Sequence, residues 1–154
     1  MFKKLRRLSG RVKNLRIVLN PKAIVAWGKF RTLKKRAAAY EAYTLRLNES
    51  VSQTTKMLFE ALNGAKEPDA RGISDGIHSI EVDIAEARER ITNLINEARD
   101  VHNRAKAIGW EKVQEQVEEI AIDLGKFKGN LDLALLEPLE NYKKTLKDQG
   151  ITVD

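Results

Sequence analysis

The chain contains no cysteine, which excludes disulfides, thiolate zinc sites and cysteine nucleophiles, and fits a reducing compartment. Proline is scarce, with three residues, and the nine glycines fall mostly at what read as boundaries between elements. No apolar run is long enough to cross a bilayer, so no transmembrane helix is expected. The beginning also lacks the continuous apolar core of a secretory signal. The most informative absence is of negative charge: from Met1 to Arg36 there are thirteen Lys or Arg and no Asp or Glu. Solvated helix faces usually mix signs, so so long an acid-free stretch is poorly explained as ordinary surface.

The remaining 118 residues hold fifteen basic against 22 acidic groups, a net of −7 beneath an overall charge of +6. A basic arm on an acidic body points to an anionic partner, either lipid headgroups or phosphodiesters. At 154 residues the chain reads as one domain able to bury a single core. Leu, Ile, Ala, Lys, Glu and Arg dominate, and 32% of residues are charged. That mixture suits long exposed helices.

Residues 1–20 are expected to form a basic amphipathic helix. At 100° per residue, Phe2, Leu5, Leu8, Val12, Leu15 and Leu19 fall in one stripe, available for insertion or docking. Lys3, Lys4, Arg6, Arg7, Arg11 and Lys13 lie opposite or beside it, and Lys34, Lys35 and Arg36 extend the cationic set for contact with an anionic surface. Trp27 and Phe30 could extend the same contact. Ser9 and Gly10 weaken the middle of this helix, so it needs a partner to dock on. Its Arg-rich, acid-free composition also resembles a mitochondrial presequence, although the basic character continues beyond the usual length of such signals.

Residues 21–154 read as a bundle of three long helices, about 21–62, 75–108 and 110–148. Asn20-Pro21 supplies an N-cap and a first-turn proline. Phe30, Leu33, Ala37, Tyr40, Thr44, Leu47, Val51, Thr54, Leu58 and Ala61 alternate by three and four, the spacing of a helical seam. Residues 63–76 read as a loop, with Ser74 or Asp75 capping the next helix. Ile77, Ile80, Ile84, Ala87, Ile91, Leu94, Ala98, Val101, Ala105 and Ile108 form the most regular seam, with Glu86–Arg90 and Asp100–Arg104 as exposed i,i+4 pairs. The register breaks at Gly109, which reads as a turn closing a three-helix bundle in preference to the alternative, a register skip in a continuing helix. A third seam follows through Trp110, Val113, Val117, Ile120, Leu124, Phe127, Leu131 and Ala134, with a kink at Pro138 and a last piece through Leu139, Tyr142 and Leu146. The fold class is therefore all-α: a basic amphipathic N-terminal helix followed by three long helices in an elongated antiparallel coiled-coil bundle. A helix of 40 residues is roughly 60 Å long, which favours a rod over a globule.

Chemistry-bearing motifs are lacking. His78 and His102 do not sit in the paired Glu-x-x-His arrangement of a carboxylate-bridged di-metal bundle. No phosphate-loop, dinucleotide or nucleophile-elbow pattern occurs. Gly125 and Gly129 have Gly-x3-Gly spacing, but Lys126 and Lys128 between them fit close helix packing at most. The Asn48-Glu49-Ser50 sequon lies on an expected helix and is read as chance. No enzyme activity, cofactor, metal or small-molecule substrate is expected.

The stretch LLEPLENYKKTLKD, from Leu135 to Asp148, is similar to the aliphatic–Pro–Leu segment on the long kinked helix of BAR domains. Together with a basic amphipathic first helix ahead of long coiled-coil helices, it resembles the plan of N-BAR membrane-scaffolding proteins. The resemblance implies a crescent-shaped dimer acting on membrane curvature, with residues 2–19 as the inserting helix. The chain is shorter than such domains. The expected function is a non-catalytic scaffold or assembly protein whose cationic arm binds an anionic surface, most readily a membrane, and which acts as a homo-oligomer or subunit of a larger assembly. The alternative is a viral or phage assembly protein whose basic arm contacts nucleic acid or a neighbouring capsid protein. The expected location is intracellular, cytoplasmic or membrane-peripheral, with the virion and the mitochondrion as alternatives.

Overall fold

The computed structural model describes residues 20–64, 70–148, 150 and 151. The expected N-terminal helix, residues 1–19 of it, lies outside the described residues. Among the described residues the chain is a helical bundle without strands. Its elements are α1 (Pro21–Gly64), α2 (Ala70–Ala107), α3 (Glu111–Leu131), a π-helical turn (Asp132–Leu136) and α4 (Glu137–Asp148).

Helix α1 starts where its cap residues dictate. The Lys22 backbone N–H donates to Asn20 Oδ1 at 3.0 Å, and Pro21 occupies the first turn, where no intrahelical donor is needed. Helix α2 ends in a two-bond glycine cap. The Trp110 N–H donates to the Ala105 carbonyl at 2.8 Å and the Gly109 N–H to the Lys106 carbonyl at 3.1 Å. Gly109 has φ +69°, a conformation that only glycine adopts without strain. The register break read at Gly109 is therefore a turn.

The chain divides into two compact units. The first lies within residues 1–38 and 93–124. There Lys29 pairs with Asp100 at 2.7 Å and Arg36 with Glu97. The partners advance along α1 while receding along α2, so the two helices are antiparallel. Across the Gly109 turn, His102 Nε2 lies 2.9 Å from Glu118 Oε1, which sets α3 back along α2. Ala23, Ala26, Phe30, Leu33, Leu94, Ala98, Val101, Ala105, Val113, Val117 and Leu124 are buried in this unit.

The second unit comprises residues 39–92 and 125–154. Tyr40 donates its hydroxyl hydrogen to the Ala87 carbonyl at 3.0 Å, and Leu58 packs on Gly76, again antiparallel. Arg88 pairs with Asp132 at 3.1 Å and Glu81 with Lys143 at 2.6 Å, which runs α4 back along α2. The seam of α2 from Ile77 to Ala105 is buried at every expected position, and Ile108 is half-buried.

Three expectations need correction. The first is the loop at 63–76 and the start of α2 at 75: α1 reaches Gly64, α2 begins at Ala70, and Ser74 and Asp75 lie inside it rather than capping it. Gly76 is a packing glycine, since a Cβ there would sit 3.0 Å from Leu58 Cδ2. The second is the kink at Pro138: the disruption precedes it, as the π turn Asp132–Leu136. Pro138 has no N–H to give the Ala134 carbonyl, and the helix widens just before it, with the Glu137 N–H donating five residues back to Asp132. The third follows from the second. The extra residue of the π turn rotates the seam, so Leu135 is buried and Ala134 is exposed.

Ile91 is fully buried, so Ile91→Asp places a carboxylate in an apolar seam with no partner. It is expected to cost several kcal/mol, read as a loss of Tm or urea midpoint; an unchanged transition would contradict the facing of α2. Alkaline titration gives a second test. Burial, with a contribution from Tyr43 opposed by Arg90, pushes the Tyr40 phenol from 10.0 up to about 12. Burial also raises Tyr43 and Tyr142, and these are all three tyrosines of the chain. A raised folded pKa means that this stability is present below pH 10 and lost as pH rises toward 12. Phenolate absorbance is expected to appear late and together with loss of helical circular dichroism. Ionisation at the free-tyrosine pH without unfolding would contradict the burial of Tyr40.

Candidate anionic-surface interface

The first turns of α1 combine apolar exposure with positive charge. Ala23, Ala26, Phe30 and Leu33 turn inward and are buried. Beside them on the helix surface, Ile24, Trp27, Arg31, Lys34 and Lys35 fall within an arc of about 100°, taking 100° per residue. All five are exposed, Ile24 at 68% and Trp27 at 45%. This stripe places two large apolar side chains nearest the basic arm and three cations after them. The next acidic residue along the chain is Glu41.

Trp27 is held in place rather than left loose. Its ring stacks on Trp110 at 5.7 Å between centroids with planes 26° apart, and it lies 5.6 Å from Phe30. Trp110 is placed by the Gly109 cap, which ends α2 and turns the chain back. Ala23, Ile24, Trp27 and Trp110 line a small apolar hollow. Indole rings fixed at a surface, with an apolar body and one N–H, suit a boundary between an apolar and an aqueous phase.

The cations from Lys29 to Arg36 divide into two sets. Those at the flank are neutralised by α2: Lys29 by Asp100 and Arg36 by Glu97. Asp100 also takes Arg104 Nε at 2.9 Å, and these hydrogen bonds, Arg104 first and Lys29 second, hold its carboxyl below the usual carboxylate range. Those facing outward are Arg31, Lys34 and Lys35, with the Lys34 ammonium 6.0 Å from the Phe30 ring centre.

Of the residues expected to contact an anionic surface, Lys34 and Lys35 lie in the outward stripe. Arg36 is committed to Glu97. Phe30, expected to extend the contact, is 2% exposed and belongs to the core. Lys3, Lys4, Arg6, Arg7, Arg11 and Lys13, with Phe2, Leu5, Leu8, Val12, Leu15 and Leu19, lie outside the described residues. Sequence reasoning missed Ile24, Arg31 and the Trp27–Trp110 stack. The 24–27–31–34 spacing was a usable signal for the first two. The stack joins residues far apart in sequence and left none.

Among the described residues no group of three or more His, Cys, Asp or Glu is placed to hold a metal ion. Among the same residues no helix is long and apolar enough to cross a membrane. His102 faces Glu118. No protein family matches the sequence, and no curated protein or solved structure matches it either.

Proposed function

We propose that this chain is a non-catalytic helical scaffold that binds anionic membrane surfaces through its basic N-terminal arm and the outward stripe of α1, and that it works as a homo-oligomer or within a larger assembly. The observation that carries the reading is the Ile24, Trp27, Arg31, Lys34, Lys35 stripe, exposed and free of carboxylates. Phosphate binding alone needs cations and no ordered apolar side chains. Insertion at a lipid interface needs both.

Magnitudes explain why arm and stripe belong to one interface. A Lys or Arg near an anionic leaflet contributes about 1 kcal/mol, so three give about 3 kcal/mol. That falls short of the 4.1 kcal/mol of a millimolar interaction. Cations alone are therefore too weak, and attachment also draws on apolar side chains, Ile24 and Trp27 of the stripe together with those of the arm. The arm supplies six further cations from the predicted set and a stripe of six apolar residues. Each buried methylene adds about 0.8 kcal/mol.

Co-sedimentation with phosphatidylserine-containing vesicles, beside gel shifts with DNA and RNA, tests the reading. Intact protein is expected to pellet with anionic vesicles and not with neutral ones. Phe2/Leu5/Leu8→Ser is expected to abolish pelleting with every cation kept, and Ile24/Trp27→Ser to weaken it at least ten-fold. Arg31/Lys34/Lys35→Gln is expected to weaken it and flatten its salt dependence. Binding that survives both apolar sets, or tight binding to nucleic acid with none to vesicles, would overturn lipid insertion. Sedimentation across a range of protein concentrations tests self-association, and a monomer throughout, with no assembly partner recovered, would count against it.

A further inference from the structure

Two runs of exposed charge in the first unit, opposite in sign, are left unpaired within the chain. On α1 they are Arg31, Lys34 and Lys35, which make no ion pair among the described residues, while Lys29 and Arg36 beside them are taken up by Asp100 and Glu97. On α3, Glu111, Glu115 and Glu119 recur every four residues, all exposed, and they too make no ion pair among the described residues. Glu111 lies in the first turn, where a carboxylate offsets the helix dipole. Glu115 and Glu119 lie beyond that turn.

The α3 run carries an apolar residue as well. At 100° per residue, Glu111, Glu115, Glu119 and Ile122 fall within an arc of about 80°, and Ile122 is 59% exposed. Along α3 the stripe is therefore acidic first and apolar last. Along α1 it is apolar first, Ile24 and Trp27, and then cationic. Laid antiparallel, the two stripes match in register. At 1.5 Å per residue, Arg31 lies about 6 Å and Lys34 about 10.5 Å beyond Trp27, while Glu119 lies about 4.5 Å and Glu115 about 10.5 Å from Ile122. With Trp27 against Ile122, Arg31 meets Glu119 and Lys34 meets Glu115. A parallel arrangement would instead set Ile24 and Trp27 on Glu111 and Glu115, and Lys34 on Ile122.

We propose that, in the absence of a membrane, the α1 stripe of one copy docks antiparallel on the α3 stripe of a second copy. Two copies are required, because both stripes are exposed on the same compact unit and do not meet within it. The contact joins unlike surfaces, so it is head-to-tail. A copy that gives its α1 stripe still offers its α3 stripe, and assembly continues as an open chain or closes into a ring. The inference rests on the self-association part of the function proposed above and names the surface for it in the lipid-free protein. Exposed ion pairs are individually weak and screened by salt, so the contact is salt-dependent, and an anionic leaflet competes for the same α1 cations.

Sedimentation equilibrium of the full chain without lipid reads the contact. Its dissociation constant is expected to rise at least ten-fold between low salt and about 1 M salt, where charges are screened beyond about 3 Å. Arg31/Lys34/Lys35→Glu and Glu115/Glu119→Lys are each expected to weaken self-association at least ten-fold. An equimolar mixture of the two is expected to restore it, because each stripe then meets its opposite charge. All five positions are exposed, and helical circular dichroism checks that each variant folds. Glu115/Glu119→Gln, which adds no repulsion, is the milder variant and is expected to weaken association in the same direction. A monomer at every concentration, association insensitive to salt, either charge reversal associating like the parent, or a mixture no better than its components would each overturn the proposal. These readouts contain no vesicles, so failure here leaves the pelleting result standing, and loss of pelleting leaves this contact standing.

Discussion

The apolar seam of α2 is the constraint on which the other elements depend. Ile73, Ile77, Ile80, Ile84, Ala87, Ile91, Leu94, Ala98, Val101 and Ala105 are each 3% exposed or less. Burying a side chain of isoleucine size fully contributes about 1.5–3 kcal/mol, and no other helix holds so continuous a series. In each unit α2 receives α1 on one side and the returning chain on the other, as the cross-helix pairs show. The three alanines of the seam let neighbours approach closely. Ala87 is the clearest case, because its carbonyl is within reach of the Tyr40 hydroxyl. Most charged pairs at the edges are exposed, Glu81–Lys143 being half-buried, and exposed pairs fix register more than they stabilise.

The seams were legible because a 3–4 alternation sustained over ten positions has few readings other than a helix with one buried face. The Asn20-Pro21 start and the Gly109 turn were legible for local reasons, a side-chain acceptor and a positive φ. The errors arose where a local signal was overridden by a contact. Gly72 and Gly76 read as helix breakers, but both lie within α2, and at Gly76 a side chain would press on Leu58, whose Cδ2 is 3.0 Å from where a Cβ would sit. Pro138 read as the point of disruption, yet the lost hydrogen bond is absorbed one turn earlier, which shifts the seam from Ala134 to Leu135. The π turn leaves no signature in hydrophobic period except this one-residue slip.

The candidate interface was legible as a charge balance and not as a surface. Thirteen cations without an acid are the basis for proposing an anionic partner, but composition cannot say which of them face outward. That depended on where the carboxylates of α2 fall. Glu97 and Asp100 sit opposite Arg36 and Lys29 and neutralise them, while Arg31, Lys34 and Lys35 are turned away on the exposed stripe with Trp27 and Ile24. The same helix thus serves the core with one face, ties itself to α2 at the flank, and presents cations and apolar groups on the third. The Trp27–Trp110 stack links that outward face to the Gly109 turn, so the geometry of the candidate interface rests on the same cap that returns the chain.

Trp27 and Trp110 are the two tryptophans of the chain, so the membrane reading can be followed without a label. Tryptophan emission of the intact protein and of Trp110→Phe, titrated with vesicles of rising phosphatidylserine content, reports directly on whether the outward stripe enters an apolar phase. The account predicts a saturable blue shift with anionic vesicles in both proteins, none with neutral vesicles, and protection of Trp27 from an aqueous quencher in the bound state. An emission maximum that stays unchanged while the protein binds the vesicles, with the quencher still reaching Trp27, would contradict it.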